Sequence, residues 1–558
     1  MPDYSTIEAQ NYDLIVIGGG INGVAVARDG ILRGLKTILI EKGDFGGATT
    51  SWSSRLIHGG LRYLEYFEFN LVRESLRERE ILLRTAPHLV KPIQMTIPIY
   101  AQGSRSYWEI QAGMVLYDLL SYDKTLPNHR MLGATKLQQL FRAIEPAGCR
   151  GAAQYYDAQV EYAERLCLEI VLSAQAAGAD MLNYVTVTEL QRQGNRIAAL
   201  TCRDSESGEV FTVNGHDQTV VINTSGPWVD QVCDRGVRGD TPAPVGSNRR
   251  IGGTKGSHLF VDRFPGAPDQ ALYVEALTDG RPFFILPWLD LCLIGTTDIR
   301  FDGDLENFKA SNEEIDYLLR ETNRVIPTAR LTRESIKFTY SGVRPLPYAA
   351  GKKTSSITRS HVLYDHGPEQ VENMVSLIGG KLTTHRQVGE EMVDAALKKQ
   401  NRPVSKSVTR QNALPGSLTK QQAAELVAQG DRDQVAYLIS LYGIRAREVM
   451  ALIEEFPALG EPIVEGLADI QAQIVYSVRS EMARTYLDIC RRRTALAFQA
   501  NYGFDALPVL EAVLKQYCGW TQEKCDRNLA DYTAYMRDNC IPDYHLAKYE
   551  TAVPMPVG

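Results

Sequence analysis

A buried strand that runs directly into three glycines places the strongest constraint on the fold of this chain. Residues 13–17 form a short, almost wholly apolar run, which is typical of a parallel strand covered on both faces. Residues 21–33 then show the apolar spacing of a helix, and a second apolar run at residues 37–40 ends at Glu41. The sequence therefore predicts a βαβ unit at the start of the chain.

The glycines fit a G-x-G-x-x-G pattern at residues 18–23. The first glycine of such a turn allows the tight bend, the second lets the backbone approach a pyrophosphate, and the third lets the helix pack on the strand. The N-terminus of the helix offers free N–H groups to the anion, and an acid after the second strand accepts hydrogen bonds from a ribose. We therefore predict a dinucleotide site formed by Gly18, Gly20, Gly23 and Glu41.

Two later turns favour FAD over NAD as the dinucleotide. Small residues follow apolar runs at residues 223–228 and again at residues 379–384. A flavin is long and buried, so it needs turns from distant parts of the chain, and a helix N-terminus near its pyrimidine edge stabilises the negative charge of the reduced ring. If the protein were an NAD-dependent dehydrogenase, these turns would have no explanation. The yellow colour of a bound flavin in the purified protein would decide between FAD and NAD. The cofactor residues predicted in these turns are Gly226, Gly379, Gly380 and Thr383.

Length and composition indicate a globular protein of more than one structural unit. The chain has 558 residues, of which 44% are hydrophobic, and its net charge of -7 with no long basic run makes nucleic acid an unexpected partner. The 9 cysteines include no Cys-x-x-Cys pair, so we interpret them as reduced thiols and expect no metal site. No secretion signal and no run of about 18 apolar residues is present, so we expect a cytoplasmic protein without a spanning helix.

We predict an α/β protein in which a Rossmann-like FAD-binding domain is interleaved with a β-rich substrate-binding subdomain. The oxidoreductase domain is expected at residues 1–400, with FAD-binding parts at about 11–90, 150–245 and 340–400 and the substrate subdomain at about 91–149 and 246–339. The polar, basic segment at residues 398–407 contains a proline and predicts a domain boundary. Residues 408–545 are expected to form an α-helical C-terminal domain, because helical periodicity dominates there.

Five motifs, in this order along the chain, carry a resemblance to a known family. They are SSRLIHGGLRYLE at 53–65, KGSH at 255–258, IGTTD at 294–298, YSGVRPL at 340–346 and GGKLTT at 379–384. On these motifs the chain resembles the FAD-dependent (aerobic, respiratory) glycerol-3-phosphate dehydrogenases over nearly its whole length. One departure is His385 before Arg386, where many members have Tyr-Arg.

The resemblance implies that the protein oxidises sn-glycerol 3-phosphate to dihydroxyacetone phosphate, reduces FAD and passes the electrons to a membrane quinone. An oxidase that reduces oxygen to hydrogen peroxide stays open as the alternative, because the chemistry at the donor would be the same. The resemblance also places Ser53 and Ser54 at the cofactor. It leaves a homodimer open.

The basic residues of these motifs independently support a phosphorylated substrate. A phosphate dianion needs several convergent donors, ideally arginines, whose planar fork matches its oxygens. Four basic residues stand beside glycine, aromatic or small polar motifs at positions that the family uses near its substrate: Arg62, Arg344, Arg359 and Lys381. Tyr63 is expected to supply a hydroxyl to the same pocket.

Oxidation of a secondary alcohol also needs a base that takes the hydroxyl proton while a hydride leaves the carbon. Histidine suits this task because its ordinary pKa lies near 6.5. His258 follows small residues and precedes an apolar run, so we expect it at the start of a strand, facing a cleft. His58 is expected to order the loop after the flavin unit or to line the ring. The predicted catalytic residues are His258, Arg344 and Lys381.

A membrane quinone is dissolved in the lipid bilayer, so an enzyme that reduces it must reach the membrane surface. The apolar stretch Tyr107–Leu120 is the candidate contact, since it contains Trp108, Met114 and Leu116 and has aromatic residues at its ends. A buried core helix is the alternative interpretation. If this stretch contacts the membrane, we expect a cytoplasmic protein that is peripheral on the inner face of the cell membrane.

Overall fold

The computed structural model describes residues 3–235, 249–351 and 357–546, and the predicted βαβ unit lies at the centre of its first sheet. Within those residues this sheet has eight strands: β1 (Asn11–Ile17), β2 (Thr37–Ile40), β7 (Asp180–Leu182), β8 (Val185–Gln193), β9 (Arg196–Asp204), β10 (Val210–Asn223), β17 (Val362–Asp365) and β18 (Met374–Ile378). The strand order is β17-β18-β10-β1-β2-β7, with β9 paired to β10 and β8 paired to β9. β18, β10, β1, β2 and β7 run parallel, as predicted for a Rossmann-like fold.

Helices cover both faces of this first sheet. α1 (Tyr4–Glu8) and α7 (Val229–Asp234) lie on one face, and α2 (Ile21–Leu32), α6 (Ala163–Ala176) and α9 (His385–Lys399) lie on the other. Because side chains of a strand alternate between the faces, Leu14 and Val16 of β1 pack against α2, α6 and α9, whereas Ile15 and Ile17 belong to the opposite core. Burial on both faces explains why β1 is apolar without alternation.

A second, mainly antiparallel sheet of ten strands lies beside the first in the described part of the chain. Its strands are β3 (Leu56–Ile57), β4 (Val90–Tyr100), β5 (Arg130–Gly133), β6 (Cys149–Val160), β11 (Thr254–Asp262), β12 (Ala271–Glu275), β13 (Pro282–Trp288), β14 (Leu291–Gly295), β15 (Ile299–Arg300) and β16 (Ile336–Arg344). The order is β15-β11-β14-β13-β12-β4-β6-β3, with β16 paired to β11 and β5 to β6. α3 (Phe69–Thr85), α4 (Tyr107–Leu120), α5 (Ala134–Leu140) and α8 (Asn312–Val325) accompany this sheet.

The boundaries between the two sheets differ from the prediction. β6 and most of β16 fall in segments that the sequence assigned to FAD-binding parts, yet β6 pairs along its length with β4, and β16 pairs with β11. Their pairing partners lie far away in the chain, so local sequence carried no signal for the sheet that each would join. Residues 181–187 also indicate one strand by their apolar pattern. In the structure β7 ends before Tyr184, whose φ of 58° turns the chain out of line, and β8 begins after it.

The C-terminal part is helical, as predicted. It contains α10 (Lys420–Val427), α11 (Arg432–Tyr442), α12 (Ala446–Glu455), α13 (Gln471–Arg479), α14 (Leu507–Cys518), α15 (Gln522–Asn539) and a π-helical turn at Asp488–Arg493. Its apolar core is continuous with one face of the second sheet, where the Phe498 ring lies 4.8 Å from both the Trp288 and the Phe338 ring centroids. Helical domain and sheet therefore share one buried aromatic cluster.

α4 has buried and exposed side chains, and its predicted contact with the membrane stays a prediction. Met114 and Tyr117 are buried in the core that includes the second sheet, so replacing Met114 would disturb packing rather than a surface. Trp108 and Leu119 are exposed to 74% and 65%. Among the described residues, no helix combines the length and the apolar character that a membrane span requires.

Candidate active site

Backbone contacts shape the glycine turn after β1 and leave little room for side chains. Gly18 has a φ of +105°, and a Cβ there would lie 2.8 Å from the carbonyl carbon of Thr224. A Cβ on Gly23 would lie 1.9 Å from the carbonyl oxygen of Gly18. In front of Gly20, by contrast, the nearest atom is Thr50 Oγ1 at 3.6 Å. Gly18 and Gly23 are therefore required for packing, and Gly20 leaves space for a ligand.

Glu41 joins two loops beside this turn. Its Oε2 accepts a hydrogen bond from the backbone N–H of Gly19 at 2.6 Å, and its Oε1 accepts one from Gly43 at 2.8 Å. Burial raises the pKa of Glu41, while the two N–H donors favour its ionised form. The carboxylate lines the cavity described next, where a ribose contact was predicted, but it also fixes the loops, which the sequence did not indicate.

A cavity of about 460 Å³ opens at the carboxyl ends of β1, β2, β10 and β18. Ligands of open parallel sheets bind at this edge, and the volume lies in the range of cofactor sites. Seven of the predicted cofactor residues line the cavity: Gly18, Gly20, Glu41, Ser53, Gly226, Gly379 and Gly380.

Three predicted cofactor residues lie behind the lining of this cavity. Gly23 packs against the turn, as described above. Ser54 Oγ lies 2.9 Å from Nε2 of His258, and Thr383 Oγ1 accepts a hydrogen bond from the backbone N–H of His58 at 3.2 Å. These contacts let the three residues position their neighbours, whereas the predicted roles of Ser54 and Thr383 at the cofactor and of His58 in the loop stay predictions.

The cavity residues fit FAD. Asn22 lines the cavity, and its buried Oδ1 has no hydrogen-bond partner within the described ranges, so a donor of a bound dinucleotide would satisfy it. A Cβ on Gly380, whose φ is +95°, would lie 2.7 Å from Nδ2 of the same asparagine. α2 and α9 both begin beside the cavity, at Ile21 and His385, so two helix N-termini face the region where a dinucleotide carries negative charge.

Two predicted substrate arginines share one carboxylate. Arg344 ends β16, and its Nη1 lies 3.2 Å from Asp298 Oδ1, while Arg359 Nη2 lies 3.2 Å from Asp298 Oδ2. Arg344 also donates to Thr296 Oγ1 at 3.1 Å. The two cations hold the pKa of Asp298 below its ordinary value, against the opposing effect of burial. Arg359 Nη1 is buried without a partner among the described residues, so this group has spare donors for an anion.

Lys381 and Tyr63 lie together beside this arginine group. The Lys381 ammonium lies 4.6 Å from the centre of the Tyr63 ring and donates to Ser75 Oγ at 2.9 Å. Burial lowers the pKa of Lys381 to about 7, an effect that the carboxylates of Glu74 and Glu68 offset only in part. A phosphate dianion next to this ammonium would raise its pKa and restore its charge.

His258 lies on β11, paired with Gly295 on one side and with Tyr340 on the other. Its side chain is 2% exposed, and Nδ1 has no hydrogen-bond partner in the described part of the chain. Burial lowers the pKa of His258 well below its ordinary value, and the nearby Arg344 adds to that effect. The ring is therefore neutral at physiological pH, and the same shift makes it a weaker proton acceptor than a free imidazole. The predicted position at the start of a strand, facing a cleft, is wrong: His258 lies in the middle of β11 and does not line the cavity described above, and its role as base stays a prediction.

Arg62, another predicted substrate residue, has contacts outside the group formed by Arg344, Arg359 and Lys381. Its Nη2 donates to the hydroxyl of Tyr66 at 3.3 Å, and the side chain lines a separate cavity of about 50 Å³ together with Arg105. Its role at the substrate stays a prediction.

The structure also adds residues that the sequence did not single out. Asp298 belongs to a motif that carried the family resemblance, but only the structure shows that it holds two arginines. Three cavity residues come from the C-terminal domain: Leu487, Arg492 and Tyr535. Arg492 belongs to the RRRT segment at 491–494, which resembles the family's C-terminal domain, but only the structure places it at the cavity. Among the described residues, no group of three or more His, Cys, Asp or Glu side chains is arranged to hold a metal ion.

The fold and the cavity define an FAD-dependent oxidoreductase. Residues 13–394 match the family model described as FAD dependent oxidoreductase, and residues 407–525 match the C-terminal domain of alpha-glycerophosphate oxidase. The second match begins within the predicted boundary region, close to the predicted start of the helical domain. FAD is the cofactor of this class, as the sequence predicted.

Similar proteins narrow this class. The chain is 60% identical to the glycerol-3-phosphate dehydrogenase of Synechocystis over 98% of its length and 100% of that protein, and 33% identical to the aerobic glycerol-3-phosphate dehydrogenase of Escherichia coli over 88% and 95%. The structure of a glycerol-3-phosphate dehydrogenase from Bacillus halodurans complexed with FAD is similar with a TM-score of 0.75 at 27% identity, over 96% of each chain. The chain therefore belongs to the FAD-dependent glycerol-3-phosphate dehydrogenase family, as its motifs predicted.

Replacing Gly20 tests the cofactor site. Gly20→Val places two methyl groups in the open space in front of the turn, so we expect a folded protein that is purified without FAD. Retention of the cofactor is measured by absorbance near ~450 nm, where oxidised flavins absorb. Gly133→Val is the control, because Gly133 has an ordinary φ of -72°, a Cβ there meets nothing within 4 Å, and the residue lies away from the cavity. A yellow Gly20→Val protein with full FAD content would contradict the assignment.

Replacing Arg344 tests the phosphate contact. Loss of one charged hydrogen bond costs about 1.5–3 kcal/mol, so Arg344→Ala should lower kcat/KM for glycerol 3-phosphate roughly 10- to 150-fold. The loss should be far smaller for unphosphorylated glycerol, which has no dianion to bind. Steady-state kinetics on both compounds would refute the assignment if the two losses were equal.

Proposed function

We propose that this protein oxidises sn-glycerol 3-phosphate to dihydroxyacetone phosphate and passes the electrons to a membrane quinone. The assignment of the substrate rests on the pair of arginines that share Asp298, and this pair lies close to Lys381 and next to the cofactor cavity. Two arginines that share one carboxylate keep an excess of positive charge, which suits a phosphate dianion.

Each residue of the site has a separate role in the proposed reaction. Bound FAD supplies the acceptor for a hydride. Arg344 and Arg359 bind the phosphate and so fix the position of the rest of the substrate. The neutral His258 ring accepts the proton of the secondary hydroxyl while the hydride leaves the same carbon with both electrons of its C–H bond. The alcohol thereby loses two hydrogens and becomes a ketone.

An exposed aromatic surface supports a quinone as the electron acceptor. It is formed by the turn at Leu61–Tyr66, the start of α3 and the outer face of α4, with Tyr66, Phe67, Phe69, Trp108, Val115, Leu119 and Tyr122 exposed to 38–79%. Ion pairs between Arg105 and Glu65 and between Arg73 and Asp123 tie both ends of α4 to the neighbouring elements. Large exposed apolar patches mark interaction sites, and Trp and Tyr favour the boundary of a bilayer.

We accordingly propose a peripheral protein on the inner face of the cell membrane, with this aromatic surface in contact with lipid. An oxidase that forms hydrogen peroxide is the alternative. It would have the same site for glycerol 3-phosphate but would not need the surface.

Anaerobic mixing with glycerol 3-phosphate tests the reaction. The flavin absorbance near ~450 nm should bleach, and a water-soluble quinone should restore it faster than oxygen does. His258→Ala should slow the bleaching about 10²- to 10⁴-fold while FAD stays bound, because a general base contributes that much. His129→Ala is the control, since the His129 ring is hydrogen-bonded to Asp118 of α4 and does not line the cofactor cavity. Unchanged bleaching would remove the base role from His258, and faster recovery with oxygen would favour the oxidase.

Liposome sedimentation tests the membrane contact. A variant with Phe67, Trp108 and Leu119 changed to Ser should stay folded and yellow but bind liposomes at least about 100-fold more weakly, because each large apolar side chain contributes about 1.5–3 kcal/mol. Val362→Ser is the control, an exposed apolar residue on β17. Full liposome binding by the triple variant would exclude this surface as the membrane contact. Dissociation of a dimer, measured by light scattering, would instead identify it as a contact between two copies.

A further inference from the structure

Three consecutive arginines of the C-terminal domain reach the loop that follows β2. They lie in the π-helical turn Asp488–Arg493 and contact the loop at its two ends. Arg492 Nε donates to Asp44 Oδ2 at 2.7 Å, and Arg493 donates to both oxygens of Asp44 at 2.7 and 3.0 Å. Arg491 Nη1 donates to Ser51 Oγ at 3.0 Å. The glycine-rich segment between these anchors is therefore held from outside the FAD-binding domain.

The anchored loop is itself part of the cofactor cavity. Most of its residues line the cavity, from Gly43 and Asp44 through Thr50 to Trp52 and Ser53. The loop also contacts the glycine turn, because Thr50 Oγ1 accepts a hydrogen bond from the backbone N–H of Ile21 at 3.0 Å. A displacement of the loop would thus change both the wall of the cavity and the start of α2.

The C-terminal domain also contributes to the cavity wall directly. Leu487, Arg492 and Tyr535 line it, and a Cβ on Gly47 of the loop would lie 3.8 Å from Arg492 Nη1. Two ends of the Arg492 guanidinium are held by Asp44 and Asp488, which fixes the third nitrogen beside the loop. Tyr184, another cavity residue, donates to Asp488 Oδ1 at 2.6 Å. The wall therefore joins residues of both domains by direct bonds.

The turn Asp488–Arg493 is buried, so its contacts form in only one arrangement of the two domains. Arg491 and Arg493 are each 1% exposed and Arg492 is 5% exposed, and Asp44 and Asp488 are buried as well. A buried charge that loses its partner is strongly destabilising, so the turn cannot leave the loop without a large loss. Neighbouring cations hold the pKa of Asp44 below its ordinary value against the effect of burial, so its carboxylate stays ionised at physiological pH.

We propose that the C-terminal domain is a structural part of the FAD site: the turn Asp488–Arg493 clamps the cofactor loop 43–54, and Leu487, Arg492 and Tyr535 complete the wall of the cavity. FAD then binds tightly only when the domain is docked. By reciprocity, bound FAD strengthens the docking of the domain by the same factor.

FAD affinity of full-length variants tests the proposal. Arg492→Met should raise the dissociation constant of FAD about 10- to 100-fold, since a charge-assisted contact is lost and the loop is released. Apoprotein is titrated with FAD, and the quenching of flavin fluorescence gives the constant. Arg492→Lys, which keeps a positive charge, should recover part of the affinity.

Arg445→Met is the matched control. Arg445 crosses the same domain boundary, to Glu169 of α6, but it does not line the cavity and does not reach the cofactor loop. The proposal predicts that this variant keeps near-normal FAD affinity even if its unfolding temperature falls. Equal loss of FAD in Arg445→Met and Arg492→Met would show a general effect of domain stability and overturn the clamp.

Two further measurements keep the proposal testable if Arg492→Met does not fold. Tyr535→Ala opens the wall without removing an ion pair and should raise the FAD dissociation constant severalfold. Trypsin cleavage of the full-length apoprotein at Lys406, an exposed residue between the domains, should slow when FAD is added. Unchanged FAD affinity in Tyr535→Ala, or equal cleavage with and without FAD, would contradict the proposal.

Discussion

The close approach of the backbones of β1 and β10 is the constraint on which the site depends. The two strands end together, with Thr224 N–H donating to the Ile17 carbonyl at 2.8 Å and the Gly18 backbone in contact with Thr224. A side chain on Gly18 would separate these ends, and one on Gly23 would push α2 away from the turn. The cavity exists because the strand ends meet while the chain on either side diverges, and the other loops are arranged around that crevice.

Arg344 and Arg359 differ from two other arginines of this chain, Arg55 and Arg386, in how many carboxylates compensate their charge. Arg55 donates two hydrogen bonds to the carboxylate of Glu164, and Arg386 donates two to that of Glu78, so each buried charge is compensated within the protein. Arg344 and Arg359 instead share Asp298. Their side chains are 28% and 16% exposed, so solvent compensates part of the remaining charge and a bound dianion would compensate the rest. The proposed binding of a phosphate dianion would use this incomplete compensation.

Sequence alone predicts the parts of this protein that depend on neighbouring residues. The strand, glycine turn and helix at residues 13–33 are encoded within one segment, so their position and their role at the cavity could be predicted. β6 and β16 could not be assigned to their sheet, because pairing with β4 and β11 is a property of distant residues. The site follows the same rule. Motifs identified Arg344 and Lys381, whereas the partners of these residues, such as Ser75, and the wall residue Tyr535 became evident only in three dimensions.

Two kinds of contact hold the C-terminal domain, and they do different work. The aromatic cluster around Phe498 buries apolar area against the second sheet, and such contact is strong but not directional. Such apolar contact would hold the domain on the sheet even if the domain rotated by a small angle. The ion pairs between the turn Asp488–Arg493 and Asp44 tolerate no such freedom, because a bidentate arginine fixes both distance and orientation. Buried ion pairs add little net stability compared with apolar packing, so their value here lies in position. The apolar cluster provides adhesion, and the arginine turn sets the place of the loop.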